Sequence, residues 1–160
     1  MRTMSNQKGN AIMLKRLSSL GAVLVAILAA GCASVPMASM ESDTAAKNFA
    51  PKSGKANVYV YRNESFGAAI KMPVMLDARN VGATAAKTYM LLEVEPGPHT
   101  VLSNTENSPT VTFTAVAGRN YFVWQEVKMG AMSARSALHL VSEATGKAGV
   151  AECKLIAETP

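Results

Sequence analysis

"PTVTFTAVAGRNYFVWQEV", residues 109–127, alternates apolar and polar side chains up to a short polar break and then runs on as a β-branched and aromatic stretch. Val111, Phe113 and Ala115 fall on one face, and Thr110, Thr112 and Thr114 fall on the other. Successive side chains of a strand point to opposite faces, so this pattern is a half-buried β-strand. "AGRN" (117–120) reads as a hairpin turn into a second strand over 121–127.

The same vocabulary recurs on either side. "NVYVYR" (57–62) puts Val58 and Val60 on one face and Tyr59 and Tyr61 on the other. "AIKMPVML" (69–76) is a strand whose Pro73, lacking an N–H, belongs at an edge or a bulge. "DARN" (77–80) is a turn, after which Val81-Gly82 resumes briefly. "TYMLLEVE" (88–95) points Met90, Leu92 and Val94 inward and Leu91, Glu93 and Glu95 outward. Pro96, Gly97 and Pro98 form a sharp turn, "HTVLS" (99–103) is the returning strand, and a last strand lies within "SALHLVS" (136–142). These signals predict an all-β, mostly antiparallel fold over 56–160, a small β-sandwich of about seven to eight short strands. Beyond Ser142, the expected N-cap, Ala144, Ala148, Ala151 and Leu155 recur at helical spacing and predict a short C-terminal helix weakened by Gly146 and Gly149. Both faces of 57–62 and 121–127 carry large apolar groups. One face then packs the sandwich, and the tail helix or a partner covers the other.

Charge is divided unevenly. The 160 residues carry a formal net charge of +5, yet residues 1–31 hold four cations (Arg2, Lys8, Lys15, Arg16) and no acid, leaving 12 Lys+Arg against 11 Asp+Glu from Cys32 onward. A near-neutral domain without basic runs argues against nucleic-acid binding.

Lys15 and Arg16 precede an apolar run from Leu20 to Ala30 and then small residues. A basic start, a short apolar core and a small-residue site make a secretory signal over 1–31, with Met13 as the expected true start. The run is about half the roughly 20 residues a spanning helix needs. Ala29-Ala30-Gly31-Cys32 resembles the lipobox of bacterial lipoproteins. That resemblance implies cleavage between Gly31 and Cys32, acylation of Cys32, and, with Ala33 rather than Asp next, a lipid anchor on the periplasmic side of a Gram-negative outer membrane. The competing reading is a plain secreted protein with a chance cysteine. Residues 32–55 lack sustained periodicity and are expected to be a flexible lipidated tether with an r.m.s. span of roughly 25–30 Å.

The segments "VYVYR" (58–62), "MPVMLDARNVGATAAKTYMLLEVEPGPHTV" (72–101) and "VTFTAVAGRNYFVW" (111–124) together resemble a bacterial lipoprotein family, domain of unknown function 2846, over about residues 55–157. The resemblance implies fold and location and brings no activity with it.

Candidate chemistry is sparse. His99, beside the Pro96-Gly97 turn, suits a general base or metal ligand in type, but no nucleophile or zinc-protease motif accompanies it. A structural role at the turn is expected for Pro96, Gly97 and His99, and His139 reads as a satisfied sheet residue. With Cys32 lipidated, Cys153 is left alone, either a buried thiol or an intermolecular disulfide partner. Methionine is abundant, and Met37/Met40, Met72/Met75 and Met129/Met132 repeat as M-x-x-M. Thioethers are soft ligands for copper(I) or silver, so Met37, Met40, Met129 and Met132 are candidate metal ligands. In a strand, Met72 and Met75 point to opposite faces. The expectation is a non-enzymatic structural or binding module of the envelope, without cofactor, whose partner is a protein, glycan or lipid; soft-metal binding is the alternative.

Overall fold

The computed structural model describes residues 33–157. The expected leader over 1–31, the expected cleavage pair Gly31–Cys32 and the expected lipid attachment at Cys32 lie outside the described residues. In chain order the elements are α1 (Met40–Ala46), β1 (Ala56–Arg62), β2 (Met72–Leu76), β3 (Arg79–Thr84), β4 (Thr88–Val94), β5 (Gly97–Ser103), β6 (Thr110–Ala115), β7 (Asn120–Lys128), β8 (Arg135–Val141), α2 (Glu143–Ala151) and β9 (Lys154–Leu155).

Valine on one face of β1 and tyrosine on the other demand cover on both sides, and every residue of β1 is buried. It is the middle strand of a five-stranded sheet, β8-β7-β1-β4-β9, antiparallel to β4 and parallel to β7. A four-stranded sheet, β3-β2-β5-β6, packs on its valine face. Val58, Val60, Val74, Met90, Val101 and Val123 form the centre of that core. The opposite face carries Tyr59, Tyr61, Tyr89 and Phe122, covered by Val150 and Cys153 near the chain end and by Ala46 of α1. The all-β, mostly antiparallel sandwich is therefore the observed fold, with nine strands among the described residues rather than seven or eight. The two-residue β9, in parallel with Thr88 and Tyr89, is the addition.

Two expected hairpins are corners instead. β4 and β5, joined at Pro96, lie in different sheets, and so do β6 and β7, joined over 116–119. Period-two alternation tells which face a residue occupies, not which strand lies beside it. The second corner is tied by Tyr121, whose hydroxyl accepts from the Val116 N–H at 3.0 Å and donates to the Thr114 carbonyl at 3.0 Å. Pro73 stands at the start of β2, outside the stretch paired with β5, and the ladder shifts register between Val74 and Met75.

The C-terminal helix forms where expected, with the Ser142 side chain accepting from the Thr145 N–H. Its buried face differs from the expected one. Ala144, Ala148 and Ala151 are exposed, whereas Gly146, Gly149 and Val150 are buried, and Leu155 belongs to β9. A Cβ on Gly146 would lie 2.1 Å from Phe122 Cγ, and one on Gly149 would lie 2.2 Å from Tyr61 Cε2. Glycine here lets helix backbone seat directly on aromatic rings.

The expected flexible tether over 32–55 is corrected by the strap that residues 33–49 form. Ser39 caps α1 by accepting from the Ser42 N–H at 3.1 Å. Asp43 accepts from the Leu155 N–H at 2.8 Å and from Lys47 at 2.8 Å. The Ala38 N–H donates to the Leu155 carbonyl, and the Ala157 N–H to the Pro36 carbonyl. Phe49 adopts φ 53°, unusual for a bulky residue, and packs its ring 5.2 Å from Tyr59 and 5.8 Å from Phe122. A seven-residue helix is too short to reveal its period; its stability comes from the aromatic face beneath it.

Replacing Gly146 or Gly149 by alanine is expected to destabilise the fold by about 1–3 kcal/mol despite alanine's higher helix propensity, because overpacking outweighs that gain. Urea unfolding checks this; a stabilised variant would show that the helix lifts off freely.

Candidate functional site

Parallel β1 and β7 deliver the loops 63–71 and 129–134 to one end of the sandwich, and β5 delivers 104–109 there. Arg62 is fully buried. Its guanidinium donates to the carbonyls of Ile70 (2.7 Å), Phe66 (2.9 Å) and Gly67 (2.5 Å). Burial lowers its pKa below the ordinary value, and nearby Glu64 partly offsets this. Glu64 accepts from the Val127 N–H at 2.5 Å, which joins the first loop to β7. Glu106 accepts from the N–H groups of Ala131 (3.2 Å), Met132 (3.0 Å) and Ser133 (2.8 Å) and holds the second loop. Backbone bonds from Met132, Ser133 and Ala131 hold its carboxyl below the usual range.

Beneath these loops a buried polar chain closes the core. Thr84 donates to Gln125 (2.5 Å), and Gln125 (2.6 Å) and Ser136 (2.7 Å) both donate to Ser103. Thr105 and Asn107 continue it to Ser136. On the outside, Phe66 (55% exposed), Met129 (82%) and Met132 (97%) stand in solvent. The Ala33 N–H donates to the Ala68 carbonyl at 2.9 Å, so the chain enters the fold here.

A second feature is the outer edge of β4. β9 pairs only with Thr88 and Tyr89, leaving Met90–Val94 without a strand on that side among the described residues. The Ile156 N–H donates to the Tyr89 carbonyl, so by alternation Leu91 and Glu93 turn their backbone groups to the open edge. A groove of about 1120 Å³ runs along it between Ala45 of α1 and Val81 of β3.

His99 lies at the opposite end, beside the β2–β3 turn. Its Nδ1 is 2.6 Å from Asp77 Oδ2, and its Nε2 donates to the Glu95 carbonyl at 2.8 Å. Asp77 Oδ1 also accepts from the Thr100 N–H at 2.9 Å. Burial alone would lower the His99 pKa, but Asp77 and the Glu95 carbonyl raise it. Burial would raise that of Asp77, but the Thr100 N–H and His99 bring it below the ordinary value. The arrangement is a staple between the turn and the Pro96-Gly97 corner. The turn takes φ of 49° at Asp77 and 64° at Ala78, a two-residue left-handed turn built without glycine. His139 stacks on Trp124 with centroids 4.9 Å apart and reaches Glu126 at 2.9 Å.

The structure does not bring the methionine pairs together. Met37 lies at a bridge to Ile156 beside β9, and Met40 begins α1 next to it; Met129 and Met132 lie beyond β7, toward the other edge of that sheet. Met72 is buried and Met75 half-buried. Among the described residues no cluster of three or more His, Cys, Asp or Glu is placed to hold a metal ion. Cys153 is buried, with its thiol 3.5 Å from the Arg62 carbonyl and its pKa pushed up by burial to about 12, so it stays a protonated thiol. Arg62 and Glu106 went unread in the sequence. An arginine closing an apolar strand without a nearby cross-strand acid was the available signal for the first.

Two variants, each measured by urea unfolding, test the staple and the strained turn it holds. The raised His99 pKa contributes stability fully below about pH 6.5 and loses it as pH climbs through the raised value, while the lowered Asp77 pKa contributes above about pH 4 and loses it as pH falls. The pair is thus most stabilising between roughly pH 4 and 6.5, and His99→Gln is expected to flatten the wild-type decline in stability above pH 6.5; identical slopes would count against it. Ala78→Gly is expected to raise stability by about 1 kcal/mol by removing left-handed strain from an L-residue.

The family described as "Protein of unknown function (DUF2846)" matches residues 52–137. An "Uncharacterized protein" of Haemophilus influenzae is 30% identical over 149 residues, covering 91% of this chain and 89% of the relative. No solved structure matches the chain.

Proposed function

The chain belongs to the DUF2846 family, a family of unknown function, and from its leader we propose that it is a lipid-anchored outer-membrane lipoprotein whose sandwich faces the periplasm as a non-enzymatic structural or binding module. The observation that carries this reading is the order of the leader: Lys15-Arg16, the apolar run 20–30, and Ala29-Ala30-Gly31-Cys32 immediately before the first described residue, Ala33. Ala33, rather than Asp, after the cysteine supports outer-membrane retention. Among the described residues no helix is long and apolar enough to cross a membrane; acyl chains on Cys32 supply attachment in this reading.

The groove beside β4 supports binding over catalysis. It is lined by Ala45, Leu91, Val81 and the Lys52–Glu93 ion pair (2.9 Å), and its edge offers main-chain bonds. His99, the best candidate base, has both ring nitrogens engaged. The soft-metal reading has less behind it, because each exposed M-x-x-M pair offers two thioethers and the two pairs lie apart.

Intact mass and flotation of the wild type beside Cys32→Ser test the anchor. The expected wild type is cut before Cys32, carries acyl mass and floats with outer membrane, while the variant does none of these. Two soluble, identical products would overturn the reading.

A further inference from the structure

We propose that the loop end of the sandwich rests directly on the bilayer that anchors Cys32, with Phe66, Met129 and Met132 entering the headgroup–acyl boundary. This deepens the lipoprotein reading and rests on it.

The first argument is length. The Ala33 N–H is bonded to Ala68 in the 63–71 loop. Consecutive Cα atoms are about 3.8 Å apart, so the acylated residue joins the fold within a few ångströms of that loop. The residues that would have given slack are strapped across the tyrosine face. A membrane entered by the Cys32 acyl chains therefore meets the loop end first.

The second argument is what that end displays. Phe66, Met129 and Met132 are all more than half exposed and sit on loops at the same end, the first bonded through Glu64 to Val127 of β7, the strand that leads into the second. Among the described residues the other exposed large apolar side chains stand elsewhere: Val116 at the opposite end, Leu140 toward the far end of β8, and Met37 and Met40 on the strap. Lys71 is exposed in the same loop group and suits a phosphate headgroup.

The third argument is presentation. These tips are fixed from within, Phe66 and Gly67 by the buried Arg62 and residues 131–133 by Glu106. An apolar side chain held outward on a fixed loop needs no further ordering to insert, which lowers the entropic cost of binding.

The test uses the full chain, processed in cells and reconstituted in phosphatidylethanolamine/phosphatidylglycerol vesicles with brominated acyl chains. Trp124→Phe removes the one native tryptophan, whose buried indole N–H has no partner among the described residues. On that background Phe66→Trp and Met132→Trp report the loop end, and Val116→Trp reports the opposite end. Bromine quenching about two-fold or more stronger at 66 and 132 than at 116 is expected. Vesicle-bound protein with equal quenching at all three positions, or stronger quenching at 116, overturns the proposal while leaving the anchor intact. Shielding at 132 in a lipid-free dimer would assign this end to a second copy and also overturn it. Failure of the Cys32-bearing protein to float with vesicles would sink the anchor reading, and this proposal with it.

Discussion

Tyr59 stacks on Phe122 with ring centroids 5.0 Å apart, and its hydroxyl donates to the Ala46 carbonyl at 2.8 Å. Burial pushes its pKa up to about 12, so it remains a donor. This contact sits where sheet, strap and tail helix meet. A two-layer sandwich would leave the tyrosines of β1 and β4 in water. Covering them requires a third layer, which the chain draws from both ends of the described residues. α2 approaches on its glycines, and residues 33–49 cross beside it. The strap exists because aromatic rings need cover, and the lack of slack after Cys32 follows from the strap.

The two ends of the sandwich are closed by different chemistry. At the Pro96-Gly97 end a part-buried imidazole paired with a more exposed carboxylate pins a strained turn, a device sensitive to pH. At the loop end a buried arginine and a glutamate bind backbone carbonyl and N–H groups instead. Charge-assisted bonds to backbone fix loop conformation more than they fix side chains. The first end is built for stability of a turn, the second for presenting loop tips.

Legibility divides along a physical line. The faces of Val58/Val60 against Tyr59/Tyr61, and of Phe113 and Ala115 against the threonines, were readable because alternation is local. Partnership was not: the Pro96-Gly97 and 117–120 turns look the same whether they lead to the next strand or the next sheet. Gly146 and Gly149 read as weak points by propensity, yet the close approach they permit depends on Phe122 and Tyr61, distant in sequence. The strap over 33–49 was illegible for the same reason, since Ala46 and Phe49 mean little until the aromatic face they cover is known. The His99 contact to the corner was readable from its adjacency; its partner Asp77, in the distant β2–β3 turn, was not.

The exposed methionines bring these strands together. Thioethers serve soft metals when several converge on one point, and they serve apolar contact when each stands alone. Here Met37 and Met40 lie beside β9 and Met129 and Met132 beyond β7, toward the other edge of the same sheet. Convergence is therefore limited to two sulfurs from one loop. Met132 is nearly fully exposed even though three backbone bonds to Glu106 fix the residues around it. A side chain left in water by a loop that ordered is better matched to a surface outside the protein than to a ligand set within it. In the proposed lipoprotein the acylated Cys32 precedes Ala33 by one peptide bond, and the surface nearest at hand is lipid.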